Sequence, residues 1–145
     1  MLDDRLSRAA ESGATEYVIA LIDETRLFAP DAVADELQLA LLWAAIGGQV
    51  DTIERLVNEG ANVNSPEPNR GHLPIVGAAE KGRTEAIKKM IELGANVNLT
   101  DRWDRSPADM ARRYGHTELA ALLHEQTKGE QKRGSDHSHG PSFQA

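Results

Sequence analysis

The feature that most constrains this sequence is an internal repeat with a period of about 34 residues. The run Gly-Ala-Asn-Val-Asn occurs at residues 60–64 and again, 34 positions later, at residues 94–98. A glycine followed three residues later by an acidic residue keeps the same spacing, at Gly13, Gly48, Gly82 and Gly115. A pair of small residues precedes the first three glycines, as Ala9-Ala10, Ala44-Ala45 and Ala78-Ala79, and a remnant of the pair, Ala111-Arg112, precedes the fourth. A repeat of this length predicts a stack of similar supersecondary units rather than a single-core globule.

Each landmark has a place in a helix-turn-helix unit. The glycine suits the left-handed turn that ends a short helix, and the alanine pair before it allows neighbouring helices to approach closely. In runs such as Gly82-Arg83-Thr84-Glu85, threonine can cap the following helix and glutamate lies near the positive end of its dipole. Apolar residues then recur at helical spacing. Every unit is therefore predicted to contain two short helices.

The pattern also resembles a known family. The third unit contains Gly71-His72-Leu73-Pro74-Ile75, and the fourth contains Asp101, Ser106-Pro107 and Gly115-His116. In this order the residues resemble the ankyrin repeat. The resemblance implies an all-α solenoid of stacked helix-turn-helix units with short β-hairpin-like fingers.

The repeat also sets the domain boundaries. We expect an ankyrin-repeat domain over residues 1–126, with units at about 2–30, 31–64, 65–98 and 99–126, and a disordered polar tail at 127–145. The terminal units are degenerate, as expected for repeats that have one neighbour instead of two. The first finger, within Glu24–Glu36, is expected to be irregular or partly helical, and one extra residue in the loop 65–70 is expected to lengthen a single fingertip.

Charge and composition argue against several classes of function. The net charge is −7, there is no cysteine, and aromatic residues make up only 4% of the chain. Because nucleic acids and anionic membranes are bound mainly by Lys and Arg, we expect neither as a partner. The acidic N-terminus is unlike a secretory signal, and the absence of cysteine is compatible with a reducing compartment, so we expect a cytoplasmic location.

No constellation of residues predicts chemistry. The chain has no Gly-x-x-x-x-Gly-Lys-Ser/Thr phosphate loop, and its paired carboxylates are interpreted as a solvated face. His137 and His139 could bind a metal only adventitiously, since a site needs three or four fixed ligands. His116 is interpreted as a residue that stabilises the turn. We expect no catalytic, cofactor-binding or metal site, and hence no enzyme.

The resemblance instead implies a binding site for another protein. In ankyrin repeats the fingertips and the exposed side of the first helices form a concave groove. Carried over to this chain, that rule selects a basic-aromatic end of the groove, consisting of Arg70, His72, Lys81, Arg102, Trp103, Arg105, Arg113 and Tyr114. Trp, Tyr and Arg dominate the binding energy of many interfaces. Alternatively, Trp103 shields the last helices and Arg113 solvates the end of the stack. Trp43 is interpreted as a core residue.

The predicted function is a protein-protein interaction module that is monomeric when unbound. It could mask or inhibit a partner, in the manner of immunity or antitoxin-like proteins. The alternative is a structural scaffold or tether that uses the C-terminal tail as a second attachment point.

Overall fold

Four consecutive helix pairs make up the described part of the chain. The computed structural model describes residues 2–137, with side chains described from residue 4 to residue 127. The helices of this part are α1 (Leu2–Ser12), α2 (Thr15–Phe28), α3 (Val33–Gly47), α4 (Val50–Asn58), α5 (Pro74–Glu80), α6 (Thr84–Glu92), α7 (Pro107–Arg113) and α8 (Thr117–His137). Each predicted unit holds one pair, so the all-α solenoid predicted from the repeat is confirmed.

The helices form two layers. The first helices of the units, α1, α3, α5 and α7, pack against one another in order, and the second helices pack behind them. The alanine pairs lie where the first helices touch: Ala10, Ala44, Ala45, Ala78, Ala79 and Ala111 are fully buried. Larger side chains, such as Ile53 and Leu56 of α4, fill the space between the layers. The predicted role of the alanine pairs is thus confirmed.

The closest approach in the inner layer lies between α1 and α3. A Cβ atom at Gly47 would overlap the backbone carbonyl of Glu11. Gly47 therefore sets the distance between these helices, and with it the width of the face that the inner layer presents.

Two fingers project from one edge of the stack. They are called the second and third fingers because they follow the second and third helix pairs. The second finger (residues 59–73) closes where Glu67 N–H donates to the His72 carbonyl at 2.9 Å, and the third finger (93–106) closes where Asp101 N–H donates to the Arg105 carbonyl at 3.0 Å. The first of these loops is one residue longer, which confirms the predicted insertion. Within residues 2–137 neither finger contains a β-strand.

The first unit has no finger. α2 continues to Phe28 and is followed by a 3₁₀ turn at Pro30–Ala32 that leads into α3. This confirms that the first connection is irregular and partly helical, as expected from the missing Gly-Ala cap.

The helix caps predicted for two threonines are absent from the structure. Thr15 and Thr84 are the first residues of α2 and α6, and the capping positions before them, Ala14 and Arg83, have no side-chain cap. Ser106 does cap α7, because its hydroxyl accepts from Asp109 N–H in a reciprocal capping box. The threonines do not cap because the helices begin one residue earlier than the pattern suggested.

The C-terminal helix is longer than expected. α8 extends to His137, so residues 127–137 are helical where a disordered tail is predicted, and residues 138–145 lie outside the described residues. Lys, Glu, Gln and Arg are good helix formers, and extending an existing helix needs no new nucleus. None of the helices in the described part is long and apolar enough to cross a membrane.

Candidate functional site

A groove with a volume of about 690 Å³ lies on the concave side of the first three units. Its walls are the inner faces of α1, α3 and α5, and the second finger closes one end. The lining residues are Asp4, Ser7, Arg8 and Glu11 of α1; Leu39, Leu42, Trp43 and Ile46 of α3; Glu67, Asn69, Arg70 and His72 of the finger; and Gly77, Glu80 and Lys81 at α5. The groove is thus built by four separate segments held in register by the repeat.

An apolar stripe runs along the floor of this groove. Leu39, Leu42, Trp43 and Ile46 follow the i, i+3, i+4, i+7 spacing of a single helix face. Leu42 is buried, whereas the other three are only partly covered. Trp43 is partly buried: it packs against the core, as predicted, and it also lines the groove floor. The opposite face of α3 is apolar as well, which is why the pattern alone could not separate the two faces.

Gly77 keeps the floor open beside the stripe. It occupies the position in α5 that Trp43 occupies in α3, 34 residues earlier. A Cβ atom there would lie 3.2 Å from both Ile46 Cγ1 and Leu42 Cδ1. A side chain at position 77 would therefore cover the stripe, and the glycine leaves it accessible to a ligand.

Charged side chains border the stripe without pairing with each other. These are Asp4, Arg8, Glu11, Arg70, Glu80 and Lys81. None of the six forms an ion pair within the described part of the chain. The outer helices behave differently, since every Lys and Arg of α2, α4 and α6 is paired, as in Arg26–Glu59 at 3.0 Å and Lys89–Glu92 at 2.9 Å. The cations of these outer helices are thus paired within the chain, whereas the charged groups of the groove remain available to a partner.

The tips of the two fingers are joined by a fingertip cluster, defined here as Arg70, His72, Arg102, Trp103 and Arg105. The rings of His72 and Trp103 lie 4.8 Å apart, and the guanidinium groups of Arg102 and Arg105 lie 5.3 and 4.8 Å from the centre of the Trp103 ring. Arg102 Nη1 also donates to the carbonyl of Arg70 at 2.9 Å. Trp103 remains 48% exposed, so it both covers the finger and presents an aromatic surface.

A buried carboxylate fixes each finger. Asp101 accepts hydrogen bonds from Arg105 Nε at 2.8 Å and from the backbone N–H groups of Trp103 and Arg105, each at 3.0 Å. Burial raises the pKa of Asp101, but the Arg105 guanidinium and the two N–H groups lower it more, so the pKa lies below its ordinary value. In the second finger, the carboxylate of Glu67 accepts hydrogen bonds from Asn69 N–H and Arg70 N–H, at 2.8 and 2.9 Å.

Adjacent units are also linked by a repeated contact. Gln49, Arg83 and His116 each follow a turn glycine, and each side chain bonds to a carbonyl of the preceding unit: Gln49 to Glu11, Arg83 to Ile46 and His116 to Glu80, at 2.9, 2.8 and 2.9 Å. We name these three contacts the bridging ladder. The hydrogen bond expected of His116 is present, but it joins two units rather than stabilising its own turn.

The eight predicted binding residues fall into two overlapping groups and a pair outside both. Arg70, His72 and Lys81 line the groove, and Arg70 and His72 also belong to the fingertip cluster, together with Arg102, Trp103 and Arg105. Arg113 and Tyr114 lie exposed at the end of α7, with side chains that contact neither group. The sequence analysis did not predict the apolar stripe as a whole. The 34-residue register, in which Gly77 is the position equivalent to Trp43, could have indicated it.

No group of three or more His, Asp or Glu side chains is placed to hold a metal ion in the part of the chain that the structure describes. His139, the second histidine of the expected adventitious pair, lies outside that part.

Comparison with known proteins agrees with this architecture. The family model for ankyrin repeats, three copies, matches residues 41–136, from within α3 almost to the end of α8. A search of curated proteins finds no match. The unmatched first unit is the one without a finger. Ankyrin repeats are protein-protein interaction modules without catalytic activity of their own, and from its helix pairs, register and matched residues this chain belongs to the ankyrin-repeat family.

Proposed function

We propose that the protein binds a partner protein in the concave groove, with the apolar stripe of α3 as the centre of the contact. The observation that carries this proposal is the partly buried Trp43, which lines the groove between Leu39 and Ile46 and is bordered by unpaired charges. Protein interfaces combine an apolar centre with a polar rim, and buried aromatic residues commonly supply most of the binding energy. The three predicted residues that line the groove belong to the rim of this site.

The proposed consequence of binding is that the partner is masked or inhibited in the cytoplasm, as by an immunity or antitoxin-like protein. The support is the concave shape of the site, which covers part of a partner's surface, and the excess of acid in residues 1–60, which carry 12 acidic and 4 basic residues. Such a charge favours a basic partner surface at the α1 side of the groove, where Asp4 and Glu11 lie.

The test is a pull-down from lysate of the source organism with three proteins: the intact chain, Trp43→Ala, and Lys88→Ala as a control on the outer layer. We expect one stoichiometric partner to be retained by the intact chain and the control, and to be lost with Trp43→Ala. Titration calorimetry with the identified partner should then show an affinity loss on the order of 30-fold or more, as for a central aromatic anchor.

A partner that binds Trp43→Ala normally but is lost with a Trp103→Ala, Arg113→Ala, Tyr114→Ala variant would move the site to the basic-aromatic end predicted from the sequence. Retention by every variant would contradict the groove as the binding site.

The alternative function, a scaffold or tether, is favoured by one feature, the extension of α8 to His137, beyond the predicted end of the repeat domain at residue 126. A chain truncated after Thr127 separates the two functions. A masking protein that acts through the groove keeps its effect on the partner, whereas a tether loses assembly of the complex.

A further inference from the structure

Two large apolar side chains at the end of α2 are almost completely exposed. Leu27 is 78% exposed and Phe28 is 80% exposed, whereas Tyr114, the next most exposed large hydrophobic residue of the described part, is 51% exposed. Single exposed apolar residues are common, whereas contiguous exposed apolar surface marks interaction sites.

The exposure follows from the missing finger. In the 34- to 35-residue register, Phe28 corresponds to Val63 and Val97, which are 6% and 4% exposed because each is buried where its finger begins. In the first unit α2 continues through this position, and the helix carries Phe28 outward. The apolar residue of the repeat is retained, but the element that covers it in the other units is absent.

Acidic side chains surround this pair. Glu24 and Asp31 are exposed and have no ion-pair partner among the described residues, whereas the nearby Arg26 is paired with Asp23 and Glu59. We name Glu24, Leu27, Phe28 and Asp31 the acidic-apolar patch. The Arg26–Glu59 contact, at 3.0 Å, places this patch beside the start of the second finger. It therefore lies on the same edge of the stack as the fingertip cluster.

The fingertip cluster has complementary chemistry. Trp103 presents a half-exposed ring, and the guanidinium groups of Arg70 and Arg102 have no carboxylate partner within the described residues. An aromatic surface with unpaired guanidinium groups suits an apolar segment bordered by carboxylates. Leu27 and Phe28 lie in a segment of this kind.

We propose that two copies of this chain associate along their finger edges, with the acidic-apolar patch of each copy on the fingertip cluster of the other. Because both patches lie on one edge, a twofold axis allows both contacts to form at once, as in an isologous dimer. The apolar stripe takes no part in this contact, whereas Arg70 and His72 of the fingertip cluster also line the groove. Phe28 lies outside the groove, so Phe28→Glu tests the dimer separately from binding of a partner in the groove. The monomer expected from the sequence is the alternative outcome of the experiment.

The first test is sedimentation equilibrium of the purified chain from micromolar to millimolar concentration, together with Phe28→Glu and Tyr114→Glu. Tyr114 is an exposed aromatic residue outside both patches and serves as the matched control. We expect a dimer for the intact chain and for Tyr114→Glu, and at least a tenfold weaker association for Phe28→Glu. A monomer at all concentrations, or a dimer that Phe28→Glu does not weaken, would overturn the proposal.

The second test is a charge exchange that identifies the two surfaces. One chain carries Glu24→Lys and Asp31→Lys, and the other carries Arg70→Glu and Arg102→Glu. Each alone opposes like charges in both contacts and should be monomeric. An equimolar mixture opposes unlike charges in both contacts and should form a 1:1 dimer. All four residues are exposed, so circular dichroism should show an unchanged fold. A mixture that stays monomeric contradicts the pairing of these two patches.

Discussion

At the scale of single residues, the buried carboxylate of Asp101 accounts for the rigidity of the third finger. It accepts three hydrogen bonds, two from backbone N–H groups and one from Arg105 Nε, and it forms an ion pair with Arg105 Nη2 at 2.7 Å. The side chain of Asp101 has no solvent exposure, so water cannot replace these donors. Trp103 and Arg105, the residues that Asp101 orients, are both members of the fingertip cluster.

This arrangement predicts a pH-dependent contribution to stability. The folded-state pKa of Asp101 is lower than its ordinary value of 3.8, so its carboxylate stabilises the fold above that value and loses the contribution as the pH falls through the folded-state pKa. Asp101→Asn should lower the free energy of unfolding by about 1–3 kcal/mol at neutral pH. Urea unfolding at about pH 3 should show a smaller difference from the intact chain.

Asp104→Asn is the control for this prediction, because Asp104 is exposed in the same finger and its side chain has no partner. It should leave the unfolding midpoint unchanged at both pH values. A difference between Asp101→Asn and the intact chain that stays constant with pH would show that the charge of Asp101 does not contribute.

Gly47 gives a prediction in which packing opposes helix propensity. Alanine is favoured over glycine in helices by up to about 1 kcal/mol, so propensity alone predicts that Gly47→Ala stabilises α3. The added Cβ atom overlaps the Glu11 carbonyl, however, and α1 and α3 must separate. We expect a net loss of roughly 1–3 kcal/mol in the free energy of unfolding, measured by urea denaturation. A gain in stability would contradict the close approach of the two helices.

At the scale of elements, the bridging ladder couples each unit to the preceding one. His116 contacts the Glu80 carbonyl at 2.9 Å, and its ring packs on Gly82, where a Cβ atom would lie 2.7 Å from the ring. His116→Ala should therefore lower the free energy of unfolding by about 1 kcal/mol. His116→Gln should lower it less, because Gln49 makes the equivalent contact earlier in the stack. Equal losses for the two variants would show that the hydrogen bond itself contributes nothing.

Most of the elements of this fold could be predicted from the sequence. The period of the landmarks predicted four helix pairs, the insertion in the second finger and the irregular first connection, because glycine turns and alanine pairs are local requirements of the fold. The groove floor was harder to predict. α3 is apolar on both faces, so its sequence does not show which face is covered. The neighbouring helices decide this: Leu41 is buried, whereas Trp43 is only partly buried. The finger carboxylates were missed because an Asp or Glu in a loop gives no sign of burial.

At the scale of the whole molecule, the units depend on one another for stability. Each helix pair buries its apolar surface against the next pair. Because a stack of four pairs has few such interfaces, disrupting one of them removes a large part of the stabilising contacts. α5 is in contact with α3 on one side and α7 on the other, which makes it the element whose displacement disturbs most of the inner layer. Ala78 and Ala79 of α5 are fully buried there.

Ala79→Asp is expected to unfold the chain. The substitution places an unpaired carboxylate between packed helices, at a cost of several kcal/mol, against a total stability of about 5–15 kcal/mol for an ordinary domain. It also adds volume where the helices leave no room. Ala121→Asp, on the exposed side of α8, makes the same chemical change without burial and should leave the fold intact. Far-UV circular dichroism and thermal melting compare the two variants. If Ala79→Asp melts like Ala121→Asp, Ala79 does not lie between the inner helices, and the register that places Trp43 in the groove is also wrong.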